Sequence, residues 1–339
     1  MSLQERRRFL IGASSILAGS LAAQALGSER VRKVGQIWNS HTPSPNKPNP
    51  VRRKYLDDFK ALGWTEGKNL SIRRLFSEGH FDRLPGMAKR LVDEQVDVIW
   101  VSDTAAAVAA IHATKVIPIV LAGACAYPVE CGVIKSFAHP GGNVTGVAYL
   151  QGIEVQSKLV QFAREILPSA KRLAWIAIPP DFVTVSGGEF RPKPYYEKIA
   201  RSLAFELGYY ECRRAEDFAP VFAELQTWGA QAVVVEPSPL SAEVGASIAW
   251  LAVEAHIVTF FTVGFNVDAG GLLSYGPDYF NIMDLTVGYT DRILRGARPA
   301  DLPVEMPNKL ELVVNQKTAK ALGITIPQSV LLQADRVIE

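Results

Sequence analysis

The chain has 339 residues, 48% of them hydrophobic and 21% charged, enough for two domains that each bury a core, and disorder is excluded. Lys and Arg number 36 and Asp and Glu 34; the first 25 residues hold three of those bases and one acid, leaving 33 of each sign beyond them. A near-neutral remainder lacks the electrostatic footprint of a nucleic-acid or anionic-membrane binder.

The chain starts with a targeting pattern. Arg6, Arg7 and Arg8 precede an uncharged stretch from Phe9 to Ala23, and Ala23-Gln24-Ala25 offers small residues to a peptidase. The stretch is short for a membrane span. Arg6-Arg7-x-Phe9-Leu10 also fits the twin-arginine export pattern. The expectation is a signal peptide over residues 1–25, cleaved near Ala25, and a mature protein in the periplasm without a membrane span of its own. An uncleaved anchor is the alternative.

Beyond residue 31, short runs of β-branched and apolar residues alternate with longer amphipathic segments, the pattern of parallel α/β units. Val34 to Trp38 reads as a strand, followed by a Pro-rich loop from Thr42 to Pro50 and a helix from Val51 to Leu62. Then come a strand from Leu70 to Leu75, a helix from Phe81 to Val92, and an apolar strand from Val96 to Val101. A helix from Thr104 to Ala113 and a strand from Ile117 to Leu121 complete one group.

The turn Pro140-Gly141-Gly142-Asn143 marks a change of course, and the alternation restarts with a helix from Ile153 to Ile166 and a strand from Arg172 to Ile178. Further strands are predicted near Tyr209 to Cys212, Ala232 to Val235 and Ile257 to Thr262. The tail reads as a strand from Leu310 to Asn315, a helix from Gln316 to Leu322 and a last helix from Gln328 to Ile338. Two open, doubly wound sheets follow, each with its ligand-binding edge beyond the carboxyl ends of the strands.

Metal and cofactor chemistry finds no pattern: Cys125, Cys131 and Cys212 form no CxxC pair and no histidine stands at zinc-finger spacing. Cys125 and Cys131 either bridge a short loop or remain thiols. Gly141 to Gly146 has neither the Lys of a P-loop nor a GxGxxG spacing, and serves better as a turn. His41, His80, His112, His139 and His256 are scattered, outside any nucleophile-elbow or HExxH setting, so an enzyme is the least favoured class.

Four ordered blocks carry a resemblance. They are His139-Pro140-Gly141-Gly142-Asn143-Val144-Thr145-Gly146; Gly270-Gly271-Leu272-Leu273-Ser274-Tyr275-Gly276-Pro277-Asp278; Ile293 to Ala297 with Pro299 to Glu305; and Leu312 to Asn315 leading to Thr318 to Gly323. Together they resemble the substrate-binding proteins of ABC transporters, the family that includes tryptophan and tyrosine uptake proteins. The resemblance implies a type I periplasmic-binding-protein fold: two Rossmann-like lobes, a three-crossing hinge and a solute enclosed between. By analogy the lobes are residues 31–146 plus about 272–303, and 147–271 plus about 304–339, with crossings near Thr145 to Ala148, Gly270 to Ser274 and Pro303 to Pro307. The partners implied are a small-molecule solute and an ABC permease in the inner membrane, with the binding protein itself a monomer. A sensor module on the same fold, reporting to a membrane receptor or kinase, is the alternative.

The candidate ligand-binding residues sit mostly at strand ends. Trp38, Asn39 and Ser40 end the first strand, where an indole can stack on a planar solute while the neighbours hydrogen-bond, or where Trp38 packs in the core. Ser102, Asp103 and Thr104 open a helix, a setting suited to a carboxylate or to a plain N-cap. Asp103 departs from the Gly-Thr or Gly-Ser of the family pattern; its charge opposes a carboxylate and suits an ammonium. Tyr127 stands where the family commonly has the Asp of Asp-Pro-Val. Thr145, Glu236, Thr262 and Tyr275 complete the set, Glu236 as an acid facing the cleft or a solvated loop acid, Thr262 and Tyr275 near an aromatic wall.

Overall fold

A computed structural model describes residues 30–43, 49–149 and 153–339. The expected signal peptide and part of the Pro-rich loop lie outside the described residues. The described elements are β1 (Arg32–Trp38), α1 (Pro50–Ala61), β2 (Leu70–Phe76), α2 (Leu84–Asp93), β3 (Val98–Val101), α3 (Thr104–Ala113), β4 (Ile119–Ala124) and β5 (Val144–Ala148). These are followed by α4 (Ile153–Ile166), β6 (Arg172–Ala177), α5 (Lys193–Ser202), β7 (Glu206–Glu211), α6 (Phe218–Trp228), β8 (Ala232–Val235), α7 (Pro239–Glu243), α8 (Gly245–Glu254) and β9 (Val258–Phe261). Last come α9 (Gly264–Asp268), β10 (Leu273–Pro277), α10 (Tyr279–Leu294), β11 (Val304–Glu305), β12 (Leu310–Asn315), α11 (Gln316–Ala321), α12 (Gln328–Leu331) and β13 (Arg336–Ile338).

The strands form two sheets. The first has the order β11-β5-β4-β3-β1-β2 and the second β13-β12-β10-β9-β8-β6-β7. All pairs in the first sheet are parallel, and the second carries one antiparallel pair, β10 with β12. Read from the edge inward, β2-β1-β3-β4-β5 and β7-β6-β8-β9-β10 follow the same winding. Each therefore reverses strand order at one place, between β1 and β3 and between β6 and β8.

Both faces of each sheet are covered, which explains the strands without polar alternation: every residue of β3, β4, β8 and β9 is buried. On one face of the first sheet Trp100 stacks on Phe59 at 5.7 Å and donates its indole N–H to Thr290 Oγ1 at 2.6 Å. Thr290 belongs to α10, so this helix, which follows a strand of the second sheet, returns to the first lobe and packs Ile282, Met283 and Val287 there.

That return corrects the expected lobe boundaries. β10 (Leu273–Pro277) pairs with β9 and β12 in the second sheet, so the second crossing falls at Asp278, after the expected 270–274. β11 (Val304–Glu305) pairs with β5 in the first sheet, so that lobe extends past residue 303, and β5 itself keeps residues 147 and 148 there. The tail is also corrected: the predicted helix from Gln328 to Ile338 stops at Leu331, and Arg336–Ile338 pairs with β12 as a strand. The β-branched Val337 and Ile338 favour that edge, and Asp335 fixes it by accepting the Leu312 N–H at 2.8 Å. Cys125, Cys131 and Cys212 are buried thiols rather than disulfide partners.

Gly146 shows how tightly the first sheet is built near its crossing. Its φ is +115°, and a Cβ there would lie 2.6 Å from the Leu121 nitrogen and 2.7 Å from its oxygen, both backbone atoms. Gly146→Ala is expected to destabilise the chain by about 3 kcal/mol, by combined φ strain and steric overlap. Denaturant unfolding measures it; a loss below about 0.5 kcal/mol would contradict the packing described.

Candidate functional site

A cavity of about 1020 Å³ lies between the lobes, lined by both. Its walls come from the places where strand order reverses. Trp38 and Ser40 follow from β1, Ser102, Asp103 and Thr104 from β3, Phe182 from the segment after β6, and Glu236, Pro237 and Ser238 from β8. In doubly wound sheets such reversal points leave a crevice, because the flanking helices diverge to opposite faces. Here the two crevices open on the same space.

In the first lobe, Trp38 is half-buried and turns its indole N–H inward to Gln36 Oε1 at 3.1 Å, while its residue lines the cavity. Asp103 caps α3: its Oδ1 accepts the Ala106 N–H at 2.8 Å and its Oδ2 the Ser102 hydroxyl at 3.0 Å. Burial raises its carboxyl above the usual aspartate range, against the pull of those hydrogen bonds. Asn39 lies behind, accepting the Ser77 hydroxyl at 2.7 Å and giving its backbone N–H to Ser102 Oγ at 3.1 Å.

In the second lobe, Glu236 is 2% exposed and its Oε1 accepts the Trp175 indole N–H at 2.8 Å. Trp175 stacks on Tyr196 with ring centroids 4.0 Å apart, and the Tyr196 hydroxyl lies 3.2 Å from that of Tyr127. Tyr127 comes from the first lobe and also meets Gln156 of α4, so the chain Trp175, Glu236, Tyr196, Tyr127 links the lobes behind the cavity. Burial pushes the Glu236 carboxyl up to about 7, with the Tyr196 and Trp175 hydrogen bonds opposing.

Other contacts also bridge the lobes. The Val185 N–H reaches Cys131 O at 2.9 Å, and His112 Nε2 lies 2.9 Å from Val185 O. At the cavity's rim His41 Nδ1 pairs with Glu243 at 2.5 Å, and the hydrogen bond it donates to that carboxylate raises the His41 pKa.

Of the residues singled out from sequence, Trp38, Ser40, Ser102, Asp103, Thr104 and Glu236 line this one cavity. Five do not. Asn39 buttresses Asp103 from behind, and Tyr127 sits in the interlobe chain just described. Thr145 is fully buried, donating to Leu302 O at 3.0 Å, which ties β5 to the segment entering β11. Thr262 stands behind Tyr149, whose hydroxyl meets Thr262 Oγ1 at 3.2 Å. Tyr275 packs edge-on against Phe162 at 5.6 Å in the second lobe's core, away from the cavity. Residues missed from sequence include Phe76, Tyr149, Phe182, Phe265 and Tyr279. Phe76 had a usable signal, since it ends a strand, whereas Phe265 lies in the short helix after β9; Tyr149 and Tyr279 sit at crossings whose position sequence alone misplaced.

The sequence profile of a family described as "ABC transporter substrate binding protein" matches residues 51–338. A curated protein of Clostridioides difficile, "Tyrosine-binding protein", is 25% identical over 301 residues, covering 88% of this chain and 82% of that one. Among solved structures, a conserved domain protein of Vibrio cholerae superposes with a TM-score of 0.81 at 27% identity, over 91% of this chain and all of the other. A Streptococcus pneumoniae ABC domain solved with L-Trp gives a TM-score of 0.78 at 24% identity, over 91% of this chain and 99% of that one, a likeness of fold.

The Glu236 carboxyl makes a pH prediction. An acid that titrates near 7 when folded and at the ordinary 4.5 when unfolded holds its proton more tightly in the folded chain. Its contribution is therefore full below pH 4.5 and is lost as pH rises through 7, on the order of 3 kcal/mol. Glu236→Gln should remove that part of the pH dependence, seen as a smaller fall in melting temperature between pH 5 and pH 8 than in the parent. Parallel curves for the two proteins would contradict the buried, uncompensated acid.

Proposed function

Because the chain belongs to the ABC transporter substrate-binding protein family, we propose that it is the exported solute receptor of an ABC importer, holding a small organic solute between its lobes and presenting the closed form to the permease. The family binds small-molecule solutes, works with ABC permeases, and acts in the periplasm or outside the cell. The observation that carries the reading for this chain is the shared cavity: strand ends of two similarly wound sheets supply hydroxyls, carboxylates and aromatic rings to one space.

Export by the twin-arginine route, with cleavage near Ala25, is part of this proposal and rests on Arg6-Arg7-x-Phe9-Leu10 and the uncharged stretch behind it. So are a monomeric mature form and closure by rotation of the lobes about the three crossings. The His41–Glu243 pair supports closure, since its two partners come from opposite lobes. No turnover of the solute is assigned. Among the described residues no helix is long and apolar enough to cross a membrane.

The binding residues proposed are Trp38, Ser40, Ser102, Asp103, Thr104 and Glu236. A solute found by thermal-shift screening should reduce the radius of gyration in X-ray scattering, and Trp38→Ala with Thr104→Ala should weaken its binding by at least tenfold. Binding without compaction would contradict closure, and unchanged affinity in the double variant would contradict the placement of the site.

A further inference from the structure

Acids and bases both line the cavity, but the two charged residues buried in its walls, Asp103 and Glu236, are both acids, and that asymmetry bears on the ligand class. Asp103 and Glu236 come from corresponding strands of the two lobes, β3 and β8, and both are buried. Their hydrogen-bond partners are uncharged: the Ala105 and Ala106 backbone N–H groups, the Ser102 hydroxyl and the Asn39 side chain for Asp103, the Trp175 indole and the Tyr196 phenol for Glu236. Among the described residues neither has an ion-pair partner.

The basic groups on the same walls are engaged or exposed to solvent. Arg74 holds Glu66 through two hydrogen bonds of 2.7 and 3.1 Å and a third to the Tyr55 hydroxyl at 2.8 Å. His41 is paired with Glu243. Arg52 and Arg53 stand on α1 with solvent-exposed side chains, where water and salt weaken their reach.

A solute carboxylate meets a second obstacle. The N-terminus of α3 is the natural seat for an anion in the first lobe, with free amides and the positive end of the helix. Asp103 already occupies it with its own carboxylate. An incoming anion would face a like charge in a place sheltered from water, whereas an ammonium would find an acceptor there.

The rest of the lining suits the body of such a molecule. Trp38, Phe76, Tyr149, Phe182, Phe265 and Tyr279 reach the cavity, with Phe265 and Tyr279 packed edge-to-face at 5.8 Å. Aromatic faces attract cations as well as apolar surface.

Resting on the solute-binding reading above, we propose that the solute is an organic cation, an amine with an aromatic or other apolar body, which the cavity takes in preference to the matching carboxylate. Asp103 and Glu236 are its charge-recognising residues, and binding supplies the counter-charge that both lack.

The test is a screen of the mature chain against matched compounds that share a body and differ in the end group. Phenyl, 4-hydroxyphenyl and indolyl bodies would each be offered as the ethylamine, the amino acid and the propanoate, alongside straight-chain diamines, branched-chain amino acids, dicarboxylates and neutral sugars. The expected result is that every compound that binds carries an amine, and that each amine binds at least tenfold more tightly than its propanoate in calorimetry. Glu236→Gln and Asp103→Asn, each checked for folding by circular dichroism, should weaken the amine at least tenfold and the propanoate not at all. If a propanoate, dicarboxylate or sugar binds and the amines do not, the cation assignment fails while the solute-binding reading stands. If amines bind and both variants bind them as well as the parent does, the assignment of Asp103 and Glu236 fails. Absence of binding by every class counts against both readings.

Discussion

The chain crosses between its two sheets three times, and that constraint organises the rest of the molecule. After β5 it leaves the first lobe, after β10 it returns through α10, and after β11 it leaves again. Three covalent ties hold the sheets with their strand-order reversals opening on the same cavity. Neither reversal point is a closed pocket by itself; the enclosure comes from their apposition.

Apposition also fixes what lies at the surface of the cavity. Strand ends of a doubly wound sheet carry the first residues of the following helix, so hydroxyls and caps such as Ser102, Asp103 and Ser238 arrive there by topology. Glu236 is different. It lies one residue past β8, where the strand is still buried, and Trp175 of the neighbouring β6 reaches across to hold it. A carboxylate in that place loses water and gains only neutral donors, an unfavourable exchange unless it takes up a proton or a charge from outside joins it. The interlobe chain through Tyr196 and Tyr127 then connects the acid to the first lobe, so the same residues join the site to the interface between the lobes.

Most of the architecture was legible in the sequence because parallel strands covered on both faces are continuous apolar runs. β8 and β12 appear with their bounds as read, as do the helices α3 and α4. The tail misled for a physical reason: Gln328 to Ile338 has helical spacing at its start, but the β-branched end is captured by pairing with β12, a contact distant in sequence. The hinge positions shifted likewise, since Leu273 to Pro277 joins its sheet through β9 and through an antiparallel partner, Leu310 to Val314, distant in sequence. In the site, Trp38, Ser40, Ser102, Asp103, Thr104 and Glu236, which adjoin strand ends, were found from sequence, while Phe76 at the end of β2 was not. Thr145, Thr262 and Tyr275 were not separable from them, because whether a polar side chain faces a cavity or a backbone carbonyl behind it depends on register with a remote element.

The central claim is that the strand ends of both lobes form one solute site. Hydrogen–deuterium exchange of the mature chain, with and without a saturating solute, tests it most directly. The account predicts slowed exchange in the segments following β1, β3 and β8, in both lobes together, with the outer helices unchanged. Protection confined to one lobe, or appearing on the outer faces instead, would contradict it.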